Sequence, residues 1–189
     1  MKLMLIIELV SVLFDITFLV LLIKEQKRCW IYGIIGSLLG AYVIYHSGYY
    51  SESLLYLFYA CVGCYGYYYW DQKSKKDFTI KRSSPAQIIL LLFWGVLGTL
   101  GLGYLMSKTE ASKPYYDALS TVFGVLATFL ELYKYFVAWS FWVFINGYTI
   151  WLYGIKELNF MAFKMIIYTL LSIYGLTTWR KKLTTESPI

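Results

Sequence analysis

Seven long apolar runs, at about 3–23, 29–46, 53–70, 86–106, 117–133, 136–154 and 158–179, take up most of this 189-residue chain. A bilayer has a hydrocarbon core about 30 Å thick, which about 20 mostly apolar residues of helix can cross. Each run is close to that length, and together they leave almost nothing for a soluble domain. Composition agrees: 59% of the residues are hydrophobic, 21% aromatic and 15% charged, against roughly 45–50% apolar and 25% charged in a soluble domain. The first run reads as a retained helix rather than a removed signal peptide. Lys2 is a minimal charged start, no small-x-small site closes the run, and Glu8 and Asp15 interrupt it. The expected fold class is an all-α membrane protein with seven transmembrane helices.

Charge sets the expected orientation. Of the Lys and Arg residues between the runs, four fall on one side (Lys2, Lys108, Lys113 and Lys156) and twelve on the other. Basic residues accumulate on the cytoplasmic side, so the N-terminus is expected outside and the C-terminus in the cytoplasm of a multi-pass cell-membrane protein. The net charge of +6 then has a topological origin and gives no ground for nucleic-acid binding. The basic stretch KSKKDFTIKR reads as a solvated inside loop, with contact to anionic lipid as the alternative.

The chain also repeats itself. Shifted by 109 residues without a gap, Trp30 falls on Trp139, Tyr59 on Tyr168, Tyr65 on Tyr174, Gly66 on Gly175 and Trp70 on Trp179, while Glu8 falls on Asp117 and Ser11 on Ser120. Residues 1–72 form the first three-helix repeat. Residues 73–116 carry the basic loop, a single linker helix and an outer loop, and residues 117–189 form the second repeat with a short tail. One intervening helix gives both copies the same direction across the membrane. They are then parallel repeats about an axis along the membrane normal, a transporter layout.

The segments CWIYGIIG, ESLLYLFY, CYGYYYW, DALSTVFGVLA, WSFWVFIN and YGLTTW resemble the PnuC family of vitamin transporters over roughly residues 5–180. The resemblance implies a 3+1+3 arrangement similar to the SWEET sugar transporters, a homotrimer, and transport of nicotinamide riboside in most members, with thiamine, riboflavin or deoxynucleosides carried by relatives. It also implies facilitated diffusion, a cytosolic kinase that traps the substrate as its phosphate, and no cofactor. Two departures from the family pattern leave the substrate open: the usual glutamine near Tyr56 is missing, and Lys164 lies inside the seventh run.

The residues themselves suggest where a ligand would bind. In the sixth run Trp139, Trp142, Asn146, Thr149 and Tyr153 share one helical stripe and Trp151 points elsewhere. The matching stripe of the second run, Trp30, Gly33, Ser37, Gly40 and Ile44, offers space instead. Such a pair suits a flat heterocycle stacked on indole and fixed by a few polar groups. An amide at position 146, deep in apolar helix, needs a partner, which is either the ligand or a neighbouring helix. The hydroxyls of Tyr56, Tyr59 and Tyr168 are expected to bond ribose or amide groups. Candidate substrate residues are therefore Trp139, Trp142, Asn146, Tyr56, Tyr59 and Tyr168.

Other features read as structural. Trp70 and Trp179, at helix ends beside charges, are expected as interfacial anchors. Glu8 and Asp117 are expected to cap or to bond between helices. Asp15, mid-helix, either couples protons or balances a cation, or else pairs with Lys164 or a tyrosine. Glu131 and Lys134 flank a short turn and ask for no special account. Cys61 and Cys64 form C-x-x-C in an apolar helix, and His46 has no ligand cluster around it, so neither a redox nor a metal site is expected. A membrane-embedded enzyme using intramembrane carboxylates is the alternative class; no paired acidic metal motif, phosphate loop or Ser/His arrangement supports it.

Overall fold

Every apolar run becomes a helix. The computed structural model describes residues 2–46, 50–73, 78–109, 113–155 and 159–185. Among these the chain forms seven helices: α1 (Lys2–Ile23), α2 (Cys29–His46), α3 (Tyr50–Lys73), α4 (Pro85–Met106), α5 (Pro114–Leu132), α6 (Val137–Ile155) and α7 (Asn159–Thr185). The largest departure from the sequence reading is α7, which runs on to Thr185. Its added turn carries basic residues, which complement the negative end of a helix. α1, α2 and α4 are by length and composition apolar enough to cross a membrane; the other four are long enough but richer in tyrosine, tryptophan and polar residues.

Local chemistry fixes the helix ends. Ser84 caps α4 through a reciprocal box: the Gln87 N–H donates to Ser84 Oγ at 3.2 Å, and the Ser84 N–H donates to Gln87 Oε1 at 2.9 Å. Pro85 follows at the first helical position, where its missing N–H costs nothing. α1 and α5 end in the same turn. Glu25 (φ 56°) and Lys134 (φ 57°) are left-handed residues that close Schellman motifs. The Glu25 N–H donates to Leu22 O and the Gln26 N–H to Leu21 O; the Lys134 N–H donates to Glu131 O and the Tyr135 N–H to Leu130 O, all at 2.8–3.0 Å. The two turns lie 109 residues apart, the spacing of the sequence repeat.

The chain divides into two compact units, Met1–Phe78 and Thr79–Ile189. In the first, α2 packs against both α1 and α3. Glycines permit the close approach: a Cβ on Gly33 would stand 2.9 Å from the Phe18 ring and one on Gly40 2.6 Å from the Tyr56 ring, while Gly36 faces the Asp15 carboxylate. The stripe read as open space is therefore filled by α1 and α3 side chains. Ser11 Oγ donates to Gly36 O at 2.9 Å. Phe78, beyond α3, meets the rings of Tyr69 and Trp70 edge-on at 5.6 and 5.8 Å.

In the second unit α4 packs on α5, α5 on α6 and α6 on α7. Ala127, Leu130, Ala138, Phe141 and Ile145 form a buried α5–α6 core, with Trp142 packed against it. The segment before α4 is not the freely solvated loop expected from its charge. Ile80 is buried, and Lys81 forms an isolated parallel bridge with Tyr135: its N–H donates to Lys134 O at 2.8 Å and its carbonyl accepts from the Phe136 N–H at 2.9 Å. Its ammonium lies 5.7 Å from the centre of the Tyr135 ring. Residues 74–77 of the basic stretch lie outside the described residues.

Candidate functional site

In α6 the polar and aromatic stripe faces α5 on one flank and α7 on the other. Trp139 takes the α7 side. It is 0% exposed, and Gly175 lies so close to its face that an added Cβ would stand 2.6 Å from the ring. Its indole meets Trp179 edge-on, with ring centres 5.4 Å apart and planes at 85°. The first unit repeats this geometry: Trp30 meets Trp70 at 5.6 Å and 85°, and a Cβ on Gly66 would stand 2.5 Å from the Trp30 ring. Trp70 and Trp179 are thus buried packing residues, not the interfacial anchors their charged neighbours suggested. Their partners give them more contact inside the protein than a headgroup layer would.

Asn146 also turns towards α7. It is buried, and its Nδ2 donates to Ser172 Oγ at 3.2 Å; Ser172 in turn donates to Tyr168 O at 2.8 Å. The bond uses one of the amide's two donor hydrogens. Thr149 donates back to the Ile145 and Asn146 carbonyls, both at 3.0 Å, so it adds no group to the stripe's chemistry. Tyr168 is half-buried, with the Lys164 ammonium 5.8 Å from its ring centre. That contact gives the intrahelical lysine a local electrostatic partner. Trp151 points away from all of these, 50% exposed, against Tyr116 and Tyr148.

Trp142 takes the α5 side. The two units solve this packing problem in opposite directions. In the first, Phe18 of α1 fills the notch at Gly33 of α2. In the second, the same register places Ala127 on α5 and Trp142 on α6, so the large ring comes from the other helix and packs on the α5–α6 core that contains Ala127. One turn beyond Ala127 stands Glu131, 2% exposed. The Trp142 indole N–H lies within reach of its carboxyl, but the pair does not close a hydrogen bond of ordinary length and angle, and neither Glu131 Oε1 nor Trp142 Nε1, both buried, has another partner. Glu131 is therefore no ordinary turn residue. A signal for it was present in the repeat, which aligns it with Leu22, itself fully buried.

Tyr56 and Tyr59, the remaining candidates, belong to the first unit. Both are half-buried on α3, with ring centres 6.4 Å apart, and Tyr56 lies over Gly40. Of the six candidate residues, the structure sets Trp139 and Asn146 against α7, the helix that carries Tyr168, turns Trp142 towards α5, and leaves Tyr56 and Tyr59 on α3 of the first unit. Asp15 lies against Gly36, and Asp117 sits in the first turn of α5, where a carboxylate favours the helix's positive end.

Apolar helices in two units that share turn geometry and tryptophan packing define a multi-pass helical membrane protein. The particular family follows from comparison with known proteins. A model of the nicotinamide mononucleotide transporter family matches residues 5–181, and the chain belongs to that family; it is a transporter, not an enzyme. It is 20% identical over 183 residues to the nicotinamide riboside transporter PnuC of Escherichia coli (strain K12), covering 82% of this chain and 77% of that protein. It is 24% identical over 172 residues to the PnuC of Neisseria mucosa, covering 84% of this chain and 65% of that protein. Its fold is that of the crystal structure of the vitamin B3 transporter PnuC, with a TM-score of 0.81 at 22% identity, covering 96% of this chain and 83% of the other.

Proposed function

We propose that the protein imports a nucleoside-like vitamin, nicotinamide riboside first among them, by facilitated diffusion. The observation that carries this reading is the family match across residues 5–181, joined to relatives named as nicotinamide riboside transporters. Trp142 and Asn146 of α6 with Tyr168 of α7 serve as binding residues of the second unit, and Tyr56 and Tyr59 as those of the first, while Trp139, enclosed by Gly175 and Trp179, packs behind the stripe and touches no ligand directly. Trp142 offers a stacking face and Asn146 a spare amide hydrogen, which suit a flat ring bearing polar substituents. The shared turns at Glu25 and Lys134 and the paired tryptophans support a SWEET-like 3+1+3 arrangement of parallel repeats, 1–72 and 117–189, linked through 73–116. The loop charges support an outside N-terminus and a cytoplasmic C-terminus. A homotrimer and a cytosolic kinase that traps the product complete the reading by family resemblance.

Uptake of labelled nicotinamide riboside into vesicles containing the purified protein tests it. Entry should stop when inside and outside concentrations are equal and continue only with a kinase and ATP enclosed. Competition by unlabelled thiamine, riboflavin and deoxynucleosides fixes the substrate. Accumulation driven by a pH gradient alone and abolished in Asp15→Asn would overturn facilitated diffusion; no saturable uptake of nicotinamide riboside would overturn the substrate. A reporter fused after Ile189 should work only if it is active in the cytoplasm.

A further inference from the structure

Two buried groups of opposite hydrogen-bonding character stand side by side between α5 and α6, within reach but short of a well-formed hydrogen bond: the Trp142 indole N–H, which can only donate, and the Glu131 Oε1, which can accept. Packing alone does not call for either. At the equivalent places the first unit has Leu22, fully buried, and Gly33, filled by Phe18. A leucine and a filled notch would serve the second unit equally well, and an acid in their place carries a desolvation cost. The second unit replaces both together, and it is the unit whose stripe carries Asn146.

We propose that Glu131 is a positioning residue for Trp142: its carboxyl takes the indole N–H when ligand loads, and so fixes the plane on which the ligand's ring stacks. The indole is half-buried, so its face can meet a ligand while its N–H stays inside beside Glu131. A ring free to turn about its side-chain bonds presents a poor stacking surface; one held at its nitrogen is pre-organised, and the gain appears as affinity. The inference rests on the reading of Trp142 as a ligand contact.

Binding of nicotinamide riboside to the purified full-length protein, followed by calorimetry, tests it. Glu131→Leu copies the first unit, should fold with thermal stability at or above the parent, and should bind at least tenfold more weakly. Glu131→Gln keeps an acceptor oxygen and should recover most of that loss. Trp142→Phe keeps a flat ring without the N–H; it should lose as much as Glu131→Leu, and adding Glu131→Leu to it should cost nothing more. Parental affinity in folded Glu131→Leu, a loss in Glu131→Gln equal to that in Glu131→Leu, or parental affinity in Trp142→Phe would each overturn the inference. Should Glu131→Leu fail to fold, Trp142→Phe alone decides. Parental affinity in Trp142→Ala would instead show that the site reading itself is wrong.

Discussion

Gly175 of α7 lies against the face of Trp139 of α6, with room for hydrogen but not for carbon: a Cβ there would stand 2.6 Å from three ring atoms. Trp139 has little freedom to shift, because it is fully buried and also packs edge-on against Trp179, one turn further along α7, at 5.4 Å. Gly175→Ala should therefore destabilise the protein by about 1–3 kcal/mol, the usual cost of overpacking a filled core. Gly66→Ala, against Trp30, should do the same. Gly147 has nothing within 4 Å of where its Cβ would be, so Gly147→Ala should be neutral or stabilise by up to about 1 kcal/mol through helix propensity. Thermal unfolding in detergent separates the three. Equal midpoints for Gly175→Ala and Gly147→Ala would contradict the packing.

The Asn146–Ser172 bond ties α6 to α7, so two roles for the amide can be told apart. Ser172→Ala removes the acceptor and leaves a buried amide hydrogen unpaired, at a cost of about 1–3 kcal/mol; the unfolding midpoint should fall while affinity stays within a few fold. Asn146→Leu removes both the bond and the ligand's partner. It should stay folded and lose at least tenfold in nicotinamide riboside affinity. If folded Asn146→Leu binds as the parent does, the amide serves the helix pair alone.

Three tryptophans of one helix should behave in three ways. Trp139 is wholly enclosed, and its truncation to alanine should lower stability by about 3–5 kcal/mol. Trp142→Ala should weaken ligand binding at least tenfold. Trp151, half in the open, should tolerate alanine with affinity within a few fold of the parent and a small change in unfolding midpoint. Unfolding midpoints and calorimetric affinities of the three variants check this together.

At the end of α3, Asp71 accepts a hydrogen bond from Lys27, which raises the lysine's pKa above its ordinary 10.5 against a smaller opposing effect of desolvation. Because the folded value lies above the unfolded one, the pair stabilises fully below pH 10.5 and loses that contribution as pH rises through the folded value. With side chains 41% and 38% exposed, the effect is small and screened by salt. Asp71→Asn should lower the unfolding midpoint slightly at neutral pH and low salt. The difference should fade at high salt and in the alkaline range. A deficit that persists in strong salt would show that Asp71 acts through packing.

Helix number, most helix limits and the 109-residue register were legible in the sequence, because each depends on properties carried along a single segment; the end of α7 at Thr185 was not, since its last turn is basic rather than apolar. An apolar run of bilayer length forms a helix wherever it lies, and repeated residues keep their spacing whatever surrounds them. The candidate site was legible only in part. Periodicity placed Trp139, Trp142 and Asn146 on one stripe, but a stripe between two neighbours does not say which neighbour each side chain meets. Only the packed helices sent Trp139 and Asn146 to α7 and Trp142 to α5. Trp70 and Trp179 looked like interfacial anchors, and Glu131 like a turn residue that asked for no special account, because hydropathy along a chain separates oil from water and cannot see a protein interior in which another helix supplies the cover. The burial of those three residues was decided by tertiary structure: a side chain's environment is set by the atoms that other segments bring to it, Trp30 for Trp70, Trp139 for Trp179 and Trp142 for Glu131.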